Sequence, residues 1–419
     1  MTPSARLQSV IDILQGLDAT AQPVDRFLHD WFRARRYAGS KDRAAVAERT
    51  YAILRHRSSF AWRMGSNDAR ALVIASLLAE GVSADAIESP FDGKAYGPAV
   101  LSEGERRALS SPPQGEPPLC VRGEFPPFLE AELAGAFGPA LLDEMMALQT
   151  RAPVDLRVNT LKASRETVLE ALRAEGYDAE ATRYSPFAIR LSSGAGSARL
   201  SAAPLFAAGA FEFQDEAAQI AALLCAARPG MRVLDLAAGA GGKSLALAAL
   251  MQNRGEIVAH DVSPARLRPL APRAARAGAT IIHPSAEQPQ GAFDVVLIDS
   301  PCSGSGTWRR QPELRWRTTP DGLKALTGLQ DDLLEQGAAL VAAGGRLVYT
   351  TCSMLPRENE ERTRHFLSGH AGFAVLAASA VWSEAAGTAP PPGMDRFFKA
   401  TPLQTGTDGF FTAVLRRHR

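Results

Sequence analysis

From about Pro204 onward, short apolar runs alternate with helical stretches, and this alternation constrains the chain more than any other feature. Val233–Leu236, Glu256–Ala259, Thr280–Ile282, Phe293–Ile298 and Arg346–Tyr349 read as strands. Lys243–Gln252, Ala265–Ala277 and Gly322–Ala343 read as the helices between them, and Phe410–Leu415 supplies a last strand. Strands alternating with helices imply right-handed crossovers and a doubly wound, mostly parallel sheet, so the fold class is α/β. Ligands of such sheets sit at the carboxyl ends of the strands. Two cysteines fall there: Cys302, in Asp299-Ser300-Pro301-Cys302-Ser303-Gly304, and Cys352, in Thr350-Thr351-Cys352-Ser353. Free cysteine is among the most buried residue types, so either thiol alone is as readily structural as reactive. Two of them at strand ends in one domain point to a shared site.

A glycine-rich turn follows the first strand, Ala237-Ala238-Gly239-Ala240-Gly241-Gly242-Lys243. Glycines there let the backbone approach a ligand, and the helix that follows offers free N–H groups to an anionic end. About twenty residues on, the second strand ends in Ala259-His260-Asp261, where a carboxylate can accept from ribose hydroxyls. Dinucleotide, nucleotide and S-adenosylmethionine sheets share both features, so the reacting residues must decide among them. Two thiols suit methylation of a cytosine ring. Carbon 5 is a poor nucleophile until a thiolate adds to carbon 6, which splits one hard step into two. A second group must then help elimination. An ordinary thiol, with a pKa of about 8.5, needs cationic or dipolar help to attack. Asp299 and Lys243 can hold the pyrimidine edge.

At 419 residues the chain has room for two or three domains, and 46% hydrophobic with 22% charged residues is a globular composition. No run approaches the length of a membrane span, and the N-terminus lacks the layout of a secretory signal. The four cysteines are widely spaced with no CxxC pair, which argues against a disulfide framework or a metal site and for a reduced, cytoplasmic protein. The net charge of +1 identifies no partner, but Asp25–Arg70 holds 11 Arg/Lys against 5 Asp/Glu. Clustered positive charge suits a phosphate backbone; a solvated helical face is the plainer alternative.

Four regions follow. Residues 1–80 are helical, with Leu7, Val10, Ile11, Leu14 and Leu17 at helical spacing. Residues 81–125, rich in Pro and Gly, form a connector. Residues 126–203 form a small α+β unit with strands Val154–Val158 and Ala188–Leu191 and the helix Ser164–Glu175, and 204–419 hold the doubly wound sheet.

The chain closely resembles the RsmB/Nop family of RNA cytosine-5 methyltransferases. Asp235–Ser244 is similar to that family's DLCAAPGGKT loop, Asp299–Gly304 to DAPCSG, and Thr351-Cys352-Ser353 to TCS, with Glu358-Asn359-Glu360 following as ENE. Arg157–Thr160 resembles RVNT, Gln214–Ala217 QDEA, Arg309–Trp316 RRxPDIKW, and Asp408–Phe411 DGFF. The resemblance implies a Rossmann-like methyltransferase sheet binding S-adenosylmethionine through Ala237–Lys243, Asp261 and Asp299. It assigns the nucleophile to Cys352 and release to Cys302, with Asp299 and Lys243 on the target base. It also implies a small α+β RNA-contacting domain at 126–203 and, more weakly, a NusB-like helical RNA-binding domain at 1–80. Trp308, Trp316 and Trp62 offer rings for unpaired bases, with core packing the alternative for Trp62. Ribosomal RNA of the small subunit is the implied target, transfer RNA the alternative, and the chain is expected to act as a monomer. Two rivals stand beside this reading. A DNA or protein methyltransferase would need a recognition region that the short stretch after Cys352 cannot supply. A non-catalytic RNA-binding assembly factor would not need both thiols.

The chain departs from the family pattern at the cofactor loop, where Ala237 and Ala240 replace cysteine and proline; losing proline frees φ and predicts a looser loop. The acidic residue that contacts adenine after the third strand is also missing from His283-Pro284-Ser285-Ala286, and Glu287 or a backbone amide is its expected substitute.

Overall fold

In the computed structural model, which describes residues 1–192, 197–386 and 388–418, the expected alternation builds the larger of two sheets. The chain divides into two units, Met1–Thr150 with Trp308–Thr318, and Arg151–Thr307 with Thr319–Arg419.

The second unit opens with a small antiparallel sheet of β1 (Val154–Val158), β2 (Ala179–Ala181), β3 (Ala188–Leu191) and β4 (Phe211–Phe213), in the order β2-β3-β1-β4. The helix Arg165–Ala174 buries Val168 and Leu172 in one core with Leu156, Ile189 and Phe211. The larger sheet contains β5 (Arg232–Asp235), β6 (Glu256–His260), β7 (Ile282–Ser285), β8 (Phe293–Asp299), β9 (Val341–Thr351), β10 (Phe373–Leu376), β11 (Phe398–Ala400) and β12 (Phe410–Arg417). Its order is β10-β12-β9-β8-β5-β6-β7, with β11 pairing a separate stretch of β12. Strands β9, β8, β5, β6 and β7 run parallel, and β12 is antiparallel to β9.

The continuous apolar runs have a direct cause. In β8, Val295 and Leu297 enter the core on one face of the sheet while Val296 and Ile298 enter the core on the other. Val233 and Leu234 of β5 divide the same way. A parallel strand covered on both faces has no polar side to present.

The third strand is displaced from expectation. It spans Ile282–Ser285 rather than Thr280–Ile282, pairing Ile257 with Ile282 and His260 with Ser285. Pro284 is tolerated there because β7 lies at the sheet edge. The helix expected over Ala265–Ala277 is broken at Pro269 into Pro264–Leu267 and Leu270–Ala277. The one expected to reach Ala343 stops at Leu340, where β9 begins.

The first unit is helical. Pro3–Asp18, Val24–Arg33, Ser40–Arg55, Arg57–Met64 and Ala69–Ala79 pack around Leu7, Val10, Ile11, Leu14, Val46, Ile53 and Ile74. Thr2 and Asp68 cap two of these helices with side-chain oxygens. Ile87, Phe91, Leu101 and Leu109 share the same core, so the stretch expected to be a connector is part of this unit. Between Pro98 and Pro112 there is room for the helix Glu103–Ser110, and Ser102 and Glu105 close its first turn as a capping box. Glu130–Phe137 and Leu141–Ala147 also belong to this unit.

Trp308–Thr318, which carries the whole of the expected RRxPDIKW motif, is built into the helical unit. Glu313 accepts the N–H of Val24 at 3.2 Å, at the start of one helix. The fully buried Arg315 donates to the carbonyls of Arg55 and Leu148, at the ends of two others. A guanidinium suits such carbonyls, which lack partners within their own helices. Trp316 donates its ring N–H to Leu54 O at 2.8 Å. Trp308 is only 1% exposed, so it is a core residue and not a surface on which a base can stack.

Candidate active site

Four neighbouring parallel strands, in the order β9-β8-β5-β6, end side by side, and each delivers one expected element of the site. Cys352 follows β9, Cys302 follows Asp299 at the end of β8, the glycine loop follows β5, and Asp261 follows β6. The register aligns these ends, with Asp299 opposite Thr350, and Asp235 opposite both Leu297 and Ala259.

The two sulfurs lie 3.4 Å apart, and both cysteines are half-buried. Either sulfur can donate to the other. The Cys302 thiol is held well above the ordinary range by its hydrogen bond with Cys352, and then by burial, by charge on Cys352 and by the Glu358 carboxylate. The loops that carry the thiols are joined by backbone bonds. Gly306 N donates to Cys352 O at 2.9 Å, and Gly409 N to Gly306 O at 2.9 Å. A Cβ on Gly306 would sit 2.1 Å from Gly409 O, so the close approach of these strands of chain requires glycine at both positions. This accounts physically for the DGFF resemblance, whose role no sequence argument supplied.

Lys243 Nζ lies 2.6 Å from the Asp299 carboxylate and 5.1 Å from the centre of the Phe410 ring. Lys243 is buried, whereas Asp299 keeps more than a third of its side chain exposed.

The glycine loop is tethered at four points. Ala238 N donates to His260 O (2.8 Å), Gly239 N to Asp261 Oδ2 (3.1 Å) and Gly241 N to Ala238 O (2.8 Å), while Arg273 donates to Ala240 O at 2.6 Å. Hydrogen bonds thus restrain the loop where the proline ring is absent. Gly241 has φ +77°, and a Cβ there would lie 2.1 Å from Leu270. Arg157 donates to Gly242 O at 2.7 Å, which gives the RVNT strand a structural task.

These residues fit S-adenosylmethionine. Asp235 is fully buried, and its Oδ2 takes the Ser244 hydroxyl at 2.6 Å while Oδ1 has no partner. Burial pushes its carboxyl up to about 7, a shift that a cationic ligand beside Oδ1 would oppose by favouring the charged form. Asp261 accepts from the amides of Gly239 and Ser263 and retains lone pairs for ribose hydroxyls. Next to it, Val262 is 85% exposed, an apolar side chain left open beside the glycine loop. Beyond β7, Glu287 is exposed and its amide donates to Ser285 Oγ, which leaves its side chain as the free group at that position. Sequence reasoning missed Asp235 and Val262. The signal available for Asp235 was an acidic residue at the very end of an apolar strand; for Val262 there was none apart from its neighbour. No group of three or more His, Cys, Asp or Glu among the described residues could hold a metal.

Comparison with known proteins gives two family models. One, described as 16S rRNA methyltransferase RsmB/F, matches residues 222–416, and a RsmF/B-like ferredoxin-like domain matches 125–196. A probable ribosomal RNA small subunit methyltransferase B from Synechocystis is 34% identical over 304 residues, covering 70% of this chain and 67% of that one. A 28S rRNA (cytosine-C(5))-methyltransferase from Mus musculus is 31% identical over 295 residues, covering 64% of this chain and 63% of that one. Among solved structures, the crystal structure of PH0851 superposes with a TM-score of 0.78 at 26% identity, covering 100% of this chain and 99% of that one.

Proposed function

The chain belongs to the RsmB/F family of 16S rRNA methyltransferases, and from that premise we propose the chemistry and target of its site. It is an S-adenosylmethionine-dependent RNA cytosine-5 methyltransferase. The proposed target is a cytosine of small-subunit ribosomal RNA.

In the proposed mechanism Cys352 adds to carbon 6 of the cytosine, which makes carbon 5 enamine-like. Ala237–Gly242 with Asp261 and Asp235 would hold S-adenosylmethionine, which would supply an electrophilic methyl group, and Val262 would offer an apolar side chain beside that site. Asp299, exposed toward the crevice and clamped by Lys243, orients the pyrimidine by accepting from the exocyclic amine. The proton on carbon 5 must leave before the bond from sulfur to carbon 6 can break, and Cys302 is the group beside Cys352 that can take it. Once Cys352 is bonded to carbon, it can no longer carry negative charge beside Cys302. With that charge gone, Cys302 can give up its own proton to solvent and then, as a thiolate, take the proton from carbon 5.

The observation that carries this reading is the 3.4 Å separation of the two sulfurs at adjacent parallel strand ends. It also favours catalysis over a purely RNA-binding assembly role. The helical unit, basic over Asp25–Arg70, is proposed to be NusB-like and to bind RNA, with the chain acting as a cytoplasmic monomer. No helix among the described residues is long and apolar enough to cross a membrane. Bisulfite sequencing of total RNA from a deletion strain, with the pure chain added back to that RNA, tests the target. One small-subunit cytosine should lose its mark and regain it. Loss confined to transfer RNA would overturn the assignment.

A further inference from the structure

Glu358 is fully buried, and its carboxylate gathers donors from both thiol loops. Oε1 accepts the backbone N–H of Ser303 at 2.8 Å and Nε2 of Gln330 at 3.1 Å. Oε2 accepts the hydroxyls of Ser303 and Ser353, each at 2.5 Å. Ser303 directly follows Cys302, and Ser353 directly follows Cys352. Gln330 also donates to the carbonyl of Pro301, the residue before Cys302, at 3.0 Å. Asn359 completes the arrangement by donating to Ser353 O at 2.9 Å and accepting the Thr351 hydroxyl at 2.6 Å, so it touches both neighbours of Cys352.

Hydrogen bonds to a carboxylate are short and strong, and a buried carboxylate that loses a donor bears the cost of an unpaired acceptor. Neither serine can rotate away without that cost. Each serine is bonded to its cysteine through one peptide unit, which is planar and has few soft torsions. One oxygen atom therefore references both sulfurs to the same point.

We propose that Glu358 is a positioning residue that sets the separation of the two thiols by accepting, on one oxygen, the hydroxyl hydrogens of the serines that follow them. The proposal rests on reading Cys302 and Cys352 as the reacting pair, but its test does not require turnover. Glu358 acts through other groups and touches no reacting atom. Its importance follows from the two-stage use of the site, because a second thiol can serve the first only if both lie within reach of one ring.

Phenylarsine oxide reads the separation directly. Its arsenic–oxygen bond breaks, two arsenic–sulfur bonds form, and the two thiol protons leave with the oxygen as water, with no change of oxidation state. The full chain should bind one equivalent that a monothiol removes poorly and a dithiol removes readily, and Cys302→Ala should abolish this retention. Glu358→Gln, and the milder pair Ser303→Ala with Ser353→Ala, should release the arsenical at monothiol concentrations about tenfold lower. They should also lower kcat by roughly tenfold to a hundredfold, the scale of a misplacement of up to about 1 Å, with KM for RNA little changed. Circular dichroism identifies any variant that fails to fold, and the serine variants, which leave the Glu358 carboxylate in place, keep the test available if Glu358→Gln does not. Folded variants that retain the arsenical as the parent does would overturn the proposal, whatever their activity. Loss of retention with unimpaired methylation would support the spacing role and remove the two-thiol reading instead.

Discussion

Lys243 Nζ and the Asp299 carboxylate, 2.6 Å apart, tie the first turn of the helix after the glycine loop to the end of β8. The lysine is buried and the aspartate reaches the crevice, so the ion pair points one way: the ammonium is fixed and the carboxylate is held against it. The Phe410 ring on another side of the ammonium adds a further favourable interaction. The glycine loop proposed to hold the cofactor and the carboxylate proposed to face the base are thus joined through one ion pair.

Cys302→Ala should still attack and methylate the base but stall as an adduct on carbon 6. The expected product is an enzyme–RNA complex that survives denaturing electrophoresis, grows with added S-adenosylmethionine and disappears when Cys352 is also replaced. Cys352→Ala alone should give neither product nor complex. Normal turnover by Cys302→Ala without a trapped complex would return that residue to a structural role.

Asp261→Asn should weaken S-adenosylmethionine binding by about 1–3 kcal/mol, the cost of removing a charge-assisted hydrogen bond. Calorimetry with the cofactor alone measures this without RNA. An unchanged dissociation constant would place the ribose elsewhere.

Asp235 makes stability depend on pH in an unusual direction. Its carboxyl ionises near 3.8 in the unfolded chain and at about 7 when folded, because burial disfavours the charge. Between those values the native state holds a proton that the unfolded state has released, so this group's contribution to stability falls as pH rises from about 4 to about 7. Asp235→Asn should remove that fall, which is at most about 1.4 kcal/mol per pH unit for one proton. Urea unfolding of both proteins at several pH values is the measurement. Parallel curves would mean that Asp235 does not carry the proton.

RNA binding by the helical unit should depend on Arg36 and Lys41, both exposed within the basic stretch. Replacing both with alanine should flatten the log-affinity against log-salt slope by about 0.7–0.9 for each phosphate that is no longer neutralised. An unchanged slope would make this surface a solvated helical face. Deleting residues 1–80 is a poor substitute, because Leu101 and Leu109 lie in the same core and would be exposed.

Much of the sheet was legible because parallel strands buried on both faces are apolar where they are covered, and Val295–Ile298 displays that. The edge strand was not. His283, Pro284 and Ser285 look like a turn, and only the ladder to β6 makes them a strand. The short β2, β4, β10 and β11 escaped notice because three or four residues carry too little periodicity. In the site, Cys302, Cys352, Asp299 and Asp261 were placed at strand ends by position alone, and Lys243 at the start of the helix after the glycine turn. Glu358 was visible as part of a motif but without a task, since its donors come from Ser303, fifty-five residues earlier, as well as from Ser353.

Local sequence thus determined which residue types stand at the ends of the strands, because hydrophobic period and turn chemistry are properties of short stretches. It did not determine which ends are neighbours. Crossover topology alone brings β8 beside β9, and so Cys302 to within 3.4 Å of Cys352. Likewise, Trp308–Thr318 was readable as a motif, but only packing made it part of the helical unit rather than an open surface for bases. Burial, proton placement and the pairing of distant loops all depend on what surrounds a group in space, and the order of residues along the chain does not encode that surrounding directly.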